Sequence, residues 1–330
     1  MLSSLGRPRA TDESPALSVI VVNYNAGPLL TDCVSAVLDS PVETEILISD
    51  NGSSDGSLRA LRERFGSDPR VMLVENGRNL GFAAASNRVL ARARAPYLLF
   101  LNPDCLVGPE TLRRMLVFME TTPDAGLAGC LVRNPDGTEQ VASRRVIPDP
   151  WIGLVRVLHL DRWMPRLVAT KRLDRRHEPL PEQPVEAEAI SGAFIMARRT
   201  ALDEIGPLDA GYFLHCEDLD WFVRCAQTGW KLYLVPDAEV IHYKGTCSAS
   251  RSLFVDWHKH RGMVRFFRRH QLSRYPLPLG VLVILGIWMR FALVSVGHAV
   301  RDSGAWIRRQ RPYDARSGDP LGSAKSRPGP

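Results

Sequence analysis

Apolar and polar positions alternate in blocks over the first hundred residues. Leu17-Ser18-Val19-Ile20-Val21-Val22 is a short, mostly apolar run, suited to a strand covered on both faces. A polar turn, Asn23-Tyr24-Asn25-Ala26-Gly27, follows, and then Leu29, Leu30, Cys33, Val34, Val37 and Leu38 recur at helical spacing. The block repeats. Glu45-Ile46-Leu47-Ile48-Ser49-Asp50 predicts a second strand, Asn51-Gly52-Ser53-Ser54-Asp55-Gly56 a turn and helix cap, and Leu58, Leu61 and Phe65 the next helix. Val71-Met72-Leu73-Val74 predicts a third strand, the Ala-rich residues 83–93 a helix, and Tyr97-Leu98-Leu99-Phe100-Leu101 a fourth strand. Such alternation implies an α/β fold, with a mostly parallel central sheet flanked by helices on both faces.

Beyond about residue 130 the pattern changes. Asn134-Pro135-Asp136-Gly137 predicts the turn of a hairpin. Residues 148–186, rich in Pro, Arg and Trp and without periodicity, read as a long functional loop or insertion. Strand character returns at Ala189-Ile190-Ser191-Gly192-Ala193-Phe194-Ile195-Met196, and again at Leu232-Tyr233-Leu234-Val235 and Glu239-Val240-Ile241-His242. Between them Leu219, Phe222, Val223 and Ala226 form one helical stripe. Residues 254–270 predict a basic helix with Arg261, Arg265, Arg268 and Arg269 on one face. Residues 277–300 are strongly apolar, interrupted mainly by Trp288, Arg290 and His298. That length can span a bilayer, but Arg290 near its middle is costly there, so spanning and interfacial helices both stay open. The domain plan is a disordered N-terminus at 1–16, an α/β domain at 17–250, a membrane-associating extension at 251–300 and a disordered basic tail at 301–330.

Charge sharpens the membrane reading. The 330-residue chain carries a formal charge of +6, and residues 301–330 hold seven Lys or Arg against three Asp, which is +4 of that total. The remainder is nearly neutral, which argues against a nucleic-acid partner. A basic tail beside an apolar segment suits an anionic membrane surface. The cysteines, at 33, 105, 130, 216, 225 and 247, form no CxxC pair and are expected as reduced thiols. Residues 1–16 are polar and lack an apolar signal core, so the globular part is expected on the cytosolic side.

The chemistry lies at strand ends. Asp104 follows the fourth strand within Leu101-Asn102-Pro103-Asp104-Cys105, in the crevice where open α/β sheets bind ligands. One carboxylate there, with substrate phosphates, matches the habits of Mg2+ or Mn2+, and a strand-end Asp in a Pro turn is the bland alternative. His242 ends a late strand and can complete the ligand set through its imidazole. Lys244, Ser248 and Ser250 follow and can contact phosphates. Asn23, Asn25 and Asp50 share the carboxyl edge of the first two strands, where an Asp either accepts bonds from a nucleoside or caps the next helix. Asn79 and Gly81 open a helix; they offer an amide and a close backbone approach to a donor, or satisfy that helix alone. There is no GxGxxG, and no GxxxxGK[ST] follows the first strand. Glu217, Asp218 and Asp220 begin a helix beside Trp221, more acids than the helix dipole requires. Asp218 is the candidate general base for an acceptor hydroxyl, with Glu217 and Asp220 orienting or binding that acceptor.

These motifs, taken in order, resemble family 2 glycosyltransferases of the GT-A fold, in particular the bacterial rhamnosyltransferase-like branch. The carriers are Val21-Val22-Asn23-Tyr24-Asn25, residues 49–56, Asn79-Leu80-Gly81-Phe82, Leu101-Asn102-Pro103-Asp104, Ser191-Gly192-Ala193-Phe194, Glu217-Asp218-Leu219-Asp220-Trp221 and His242, within about residues 17–270. The resemblance implies an inverting transfer from a nucleotide-sugar donor, of which dTDP-L-rhamnose is common in this branch. It implies Asn23, Asn25, Asp50, Asn79, Gly81, Asn102 and Asp104 at the donor, Asp104 and His242 on the metal, and Asp218 as base. It puts Ser191, Gly192, Glu217, Asp220 and Trp221 near the acceptor, a glycan or polyprenyl-diphosphate-linked glycan at the cytoplasmic face of the inner membrane. Asn102 stands where the family's Asp-x-Asp motif often has its first Asp. Two other classes compete. A nucleotidyltransferase would need a Gly-rich, basic loop after the first strand, which residues 23–28 lack. A non-catalytic membrane scaffold would have no use for the acids and His242.

Overall fold

The computed structural model describes residues 14–150, 174–243 and 252–309, with the backbone alone at 252 and 299–309. Lys244, Ser248 and Ser250, most of the 148–186 segment and the tail beyond residue 309 lie outside the described residues.

The alternating blocks fold as their pattern requires. Strands β1 (Leu17–Asn23), β2 (Thr44–Asp50), β3 (Val71–Glu75) and β4 (Tyr97–Leu101) pair in parallel in the order β3-β2-β1-β4. Helices α1 (Leu29–Leu38), α2 (Ser57–Phe65) and α3 (Phe82–Leu90) are the crossovers. Alternate residues of β4 serve opposite faces, as a period of two demands. Leu99 and Leu101 join the core under α1 and α2, while Leu98 and Phe100 join the core under α3.

The second half contains elements that the hydrophobic pattern leaves unread. A short strand β5 (Cys105–Val107), helix α4 (Thr111–Thr121) and strand β6 (Ala125–Arg133) follow β4 directly. β6 is almost wholly buried although Ala125, Gly126, Ala128 and Gly129 are poor strand formers. Its small residues answer crowding: a β-carbon at Gly126 would lie 2.6 Å from that of Trp230. The expected turn at 134–137 forms, with Asn134 N donating to Thr138 O and Arg133 bridging antiparallel to Glu139. Short pieces β7 (Arg144–Arg145), β8 (Val185–Glu186) and β9 (Ala189–Ile190) precede β10 (Phe194–Arg198). The single strand expected over 189–196 is thus broken at Ser191-Gly192-Ala193. β10 runs antiparallel between β4 and β6. Helices α5 (Arg199–Ile205) and α6 (Glu217–Gln227) then lead to β11 (Lys231–His242). β11 is one long strand where two were expected, interrupted by an irregularity between Val235 and Glu239. The main sheet reads β3-β2-β1-β4-β10-β6-β11-β5, with β8 on β11.

The C-terminal extension is a helical hairpin, α7 (Ser252–His270) and α8 (Leu277–Arg309). Helix α8 continues through 301–309, part of the expected disordered tail. The basic face of α7 is exposed at Arg261, Arg265, Arg268 and Arg269, and two of these four also make ion pairs with the α/β domain. Arg265 and Arg269 both pair with Asp209, and His270 Nε2 lies 2.7 Å from Asp220 Oδ1. Leu277–His298 is long and apolar enough to cross a membrane. Its interruptions nonetheless turn to α7: Arg290 meets His260 at 3.2 Å and His298 meets Asp256 at 2.9 Å. Trp288 packs on Trp257. On the far side Leu282, Leu285, Met289, Leu293 and Val296 form an exposed apolar stripe at helical spacing.

One glycine ties the two halves. Gly81 has φ +83°, Phe82 N donates to Phe213 O at 2.9 Å, and a β-carbon at Gly81 would stand 2.9 Å from Phe213 Cα. Gly81→Ala therefore meets both backbone strain and a clash. It is expected to lower the unfolding free energy by ~1–3 kcal/mol in urea titrations. Wild-type stability in that variant would contradict this packing.

Candidate active site

The carboxyl edge of β1 and β2 is organised by hydrogen bonds rather than left open. Asp50 Oδ1 accepts from Asn23 Nδ2 at 2.8 Å and Ser53 Oγ at 2.6 Å; Oδ2 accepts from Gly52 N at 2.9 Å and Ser53 N at 3.0 Å. All four lone-pair positions of the carboxylate are thereby used. Asn23 is fully buried and also donates to Ser57 Oγ. Asn23 and Asp50, both expected at the donor, thus shape the 51–57 loop, while Asn23 Oδ1 has no hydrogen-bond partner among the described residues. Asn25 is half-buried and accepts from Ser54 N at 2.8 Å. Asn79 Oδ1 accepts from Gly81 N at 2.9 Å, which closes the turn into α3. Gly81 is buried against Phe213 and presents no face to a donor.

The metal candidates meet because strands bring them together. After β4 the chain turns, Cys105 N donating to Asn102 O, and β5 pairs antiparallel with β11 so that Cys105 faces His242. Tyr243 N then donates to Asp104 O at 2.9 Å. Asp104 Oδ1 and His242 Nε2 stand 3.1 Å apart, both largely buried, and Asn102 Nδ2 lies 3.4 Å from the same nitrogen. Cys105 completes a cluster of ligand-type atoms within 4.8 Å. Burial raises its thiol pKa well above the ordinary range, with the Asp104 charge adding to this. A thiol that keeps its proton is a poor ligand, and Cys105 Sγ turns to Ala193 O at 3.6 Å. The donor set that fits a hard divalent cation is therefore Asp104 with His242, leaving other positions for phosphate and water.

The base candidates sit at the start of α6. Two successive left-handed residues, His215 (φ 69°) and Cys216 (φ 71°), turn the chain into this helix. Asp218 Oδ1 accepts from Leu219 N at 2.8 Å, and Oδ2 pairs with the Arg145 guanidinium, whose Nε donates to Ile190 O at 2.7 Å. A β-carbon at Gly192 would lie 2.7 Å from Asp218 Oδ2, so glycine there admits the carboxylate. Asn102 N donates to Ala193 O at 3.0 Å. The break at Ser191-Gly192-Ala193 hence links the loop that carries Asp104 to Asp218. Glu217 is buried, and its Oε2 has no hydrogen-bond partner among the described residues. Burial pushes its carboxyl well above the ordinary range, and the neighbouring Asp218 charge adds to the rise.

Asp220 and Trp221, expected near the acceptor, are both fully buried. Asp220 is fully buried and accepts from Arg224 Nε at 2.8 Å. Trp221 is fully buried, donates to Gly206 O at 3.0 Å and packs edge-on against Phe100. Successive helix positions turn by about 100°, so Asp218 and Asp220 point to different sides. Conversely, the sequence reading missed Arg145 and Gln140. Gln140 Oε1 lies 2.7 Å from His242 Nδ1. Their sole sequence cue is nearness to the 134–137 turn.

Comparison with known proteins agrees with this arrangement. The model of glycosyl transferase family 2 matches residues 18–206. A Mycobacterium tuberculosis protein named N-acetylglucosaminyl-diphospho-decaprenol L-rhamnosyltransferase is 32% identical over 240 residues, covering 69% of this chain and 76% of that protein. Among solved structures, GalNAc-T7 with UDP, GalNAc and Mn2+ superposes with a TM-score of 0.56 at 19% identity, covering 78% of this chain and 48% of the other. The mannosyltransferase PcManGT of Pyrobaculum calidifontis, in complex with GDP-Man and Mn2+, superposes with a TM-score of 0.53 at 17% identity, covering 92% and 83%. These two likenesses concern the fold. The alternating blocks, the mixed sheet and the family match lead to one conclusion: the chain belongs to glycosyltransferase family 2 and is a GT-A-fold glycosyltransferase with rhamnosyltransferase relatives.

Proposed function

We propose that this enzyme is an inverting, metal-dependent transferase acting in cell-envelope polysaccharide synthesis. It moves L-rhamnose from dTDP-L-rhamnose onto a hydroxyl of a glycan or polyprenyl-diphosphate-linked glycan. The donor sugar and the lipid-linked acceptor rest on the name of the relative that is 32% identical over 69% of this chain. The observation that carries the mechanism is the division of labour at the start of α6. Asp218 pairs with the Arg145 guanidinium, whereas burial raises the pKa of the Glu217 carboxyl. Asp218 is therefore the carboxylate assigned to take the acceptor proton. As the acceptor oxygen attacks the anomeric carbon, its proton passes to Asp218, and the bond from that carbon to the diphosphate oxygen breaks. Attack opposite the leaving group inverts the anomeric centre. Arg145 orients the carboxylate, and Ser191 and Gly192 border the acceptor. Asn25, Asn79 and Asn102 supply donor contacts within the frame built by Asn23 and Asp50. Mg2+ or Mn2+, held by Asp104 and His242, would neutralise charge on the departing diphosphate.

The extension fits a membrane-bound acceptor. The exposed stripe of α8 would lie in the interface of an anionic cytoplasmic leaflet, with its other face on α7. The partners of Arg290 and His298 favour this in-plane attachment over a spanning helix surrounded by lipid.

Asp218→Asn is expected to lower turnover by ~10²–10⁴-fold, read as released nucleoside diphosphate, while calorimetric binding of dTDP with Mn2+ persists. Full turnover would remove Asp218 from the mechanism. Glu217 gives a stability test with a definite sign. Its folded-state pKa is raised, so the native protein keeps a proton that the unfolded chain releases above the ordinary value of 4.5. Stability therefore falls as pH rises from there through the raised folded value. Glu217→Gln should abolish that loss, so the variant's advantage in Tm should widen between about pH 5 and pH 8; parallel profiles would refute the buried neutral acid. An epitope joined after Pro330 should stay accessible on the cytosolic side of sealed membrane vesicles. Its protection from a protease added on that side would indicate a spanning α8.

A further inference from the structure

The turn at 134–138 does more than reverse the chain. Thr138 Oγ1 donates to Asp136 Oδ1 at 2.6 Å, since an ionised carboxylate only accepts. The Thr138 oxygen is thereby left to accept from Asn134 Nδ2, at 2.9 Å. The orientation of the Asn134 amide is thus set, and its Oδ1 accepts from Gln140 Nε2 at 3.0 Å. The same Nε2 donates to the His242 carbonyl at 3.0 Å. With its nitrogen so engaged, Gln140 must turn Oε1 to His242 Nδ1, 2.7 Å away. An amide oxygen cannot donate, so Nδ1 carries the ring proton. Every step of this relay has one allowed direction, from the Asp136 carboxylate to the imidazole.

The consequence appears on the other ring nitrogen. In the opposite tautomer His242 would donate from Nε2 to Asp104 Oδ1, 3.1 Å away. That proton would occupy the nitrogen lone pair that a cation needs. Gln140 forbids that tautomer, because a bare Nδ1 would face the amide oxygen lone pair to lone pair. With the ring proton on Nδ1, the Nε2 lone pair faces the space bordered by Asp104 Oδ1 and Asn102 Nδ2, 3.1 and 3.4 Å away, where it can ligate a cation.

We propose that Gln140, oriented by the Asp136-Thr138-Asn134 relay, is the positioning residue that holds His242 in the tautomer whose Nε2 can ligate a divalent cation beside Asp104. This deepens the proposed function and rests on its metal reading. Gln140 is 4% exposed, and its side-chain amide bonds Asn134 and His242, so its effect on the site passes through His242.

The test uses metal-free, full-length protein labelled with 15N at histidine, with His242 assigned by its loss in His242→Gln. Ring nitrogen shifts are read at a pH where the imidazole carries one proton. In wild type, Nδ1 is expected to be protonated and Nε2 bare. Gln140→Met, close in shape but unable to accept, should shift the proton to Nε2 and weaken Mn2+ binding in calorimetry by ~10–100-fold. Gln140→Glu still accepts at Nδ1 and should retain both the tautomer and most of the affinity. Asn134→Ala, which never touches His242, should move both readouts part of the way. A merely structural role for Gln140 would lower Tm in Gln140→Met while the ring proton stayed on Nδ1, and that result would overturn the proposal. Wild-type protein that binds no Mn2+ would overturn the metal reading, and the metal-free ring shifts would then decide the Gln140 assignment separately.

Discussion

The register of β11 against its two neighbours is the constraint on which the site rests. On one side, Val240, Ile241 and His242 pair with Val107, Leu106 and Cys105, and this pairing delivers His242 to Asp104. On the other side, β11 follows β6 residue by residue from Leu232 to Val235 and resumes at Glu239 opposite Leu131. Four steps along β11 thus match one along β6, so Pro236, Asp237 and Ala238 are looped out. Without that irregularity His242 would be displaced along the sheet by roughly 10 Å. Helix α4 holds it in place: Arg114 donates to the Asp237 carbonyl, and Thr111 Oγ1 donates to the Glu239 carbonyl at 2.7 Å. A proline inside the strand removes a ladder donor just where the pairing is already broken, so its cost there is small.

This dependence explains what the amino-acid pattern could and could not reveal. β1 to β4 and their helices are legible because each is a local block whose period is set by its own burial. β6 is not, because its small residues were chosen by the crowding of Trp230 and Ile190 on its faces, a property of the assembled sheet. Asp104, His242 and Asp218 stand out as polar residues at the ends of apolar elements, where a strand or helix meets solvent. Gln140 and Arg145 carry no such mark. Their partners lie 102 and 73 residues away in sequence, and only the register joins them. The burial of Asp220 and Trp221 is hidden in the sequence for a different reason. Three acids in one helical turn look alike in a sequence, but the turn of the helix sends Asp218 toward Gly192 and Asp220 into the core.

Buried Asp220 is then the second hub of the molecule. Its carboxylate takes bonds from Arg224 on its own helix and His270 on α7, with Arg269 at 3.5 Å and the Tyr212 hydroxyl at 3.4 Å. Burial by itself would raise its pKa, but these partners outweigh that and hold it below the ordinary range. A carboxylate so placed is stable only while its partners stay in position. Helix α7 is also pressed close to the same region: a β-carbon at Gly262 would lie 2.8 Å from His215 O, at the left-handed turn that starts α6.

The two hubs meet at α6. Its first turn carries Asp218, held from the sheet side by Arg145, and the adjoining Asp220 binds the end of α7. Helix α7 in turn supports α8 through the Arg290–His260 and His298–Asp256 contacts. A force applied to the exposed stripe of α8 therefore has a path of polar contacts, part-buried at α7 and buried at Asp220, toward the helix that carries Asp218. The path does not make the enzyme a switch, because it offers one arrangement and not two. What it provides is rigidity: the surface best suited to a lipid interface and the group proposed to take the acceptor proton are parts of one packed unit. An acceptor presented at a fixed height above a membrane can then meet Asp218 at a fixed geometry, which is what positioning contributes to catalysis.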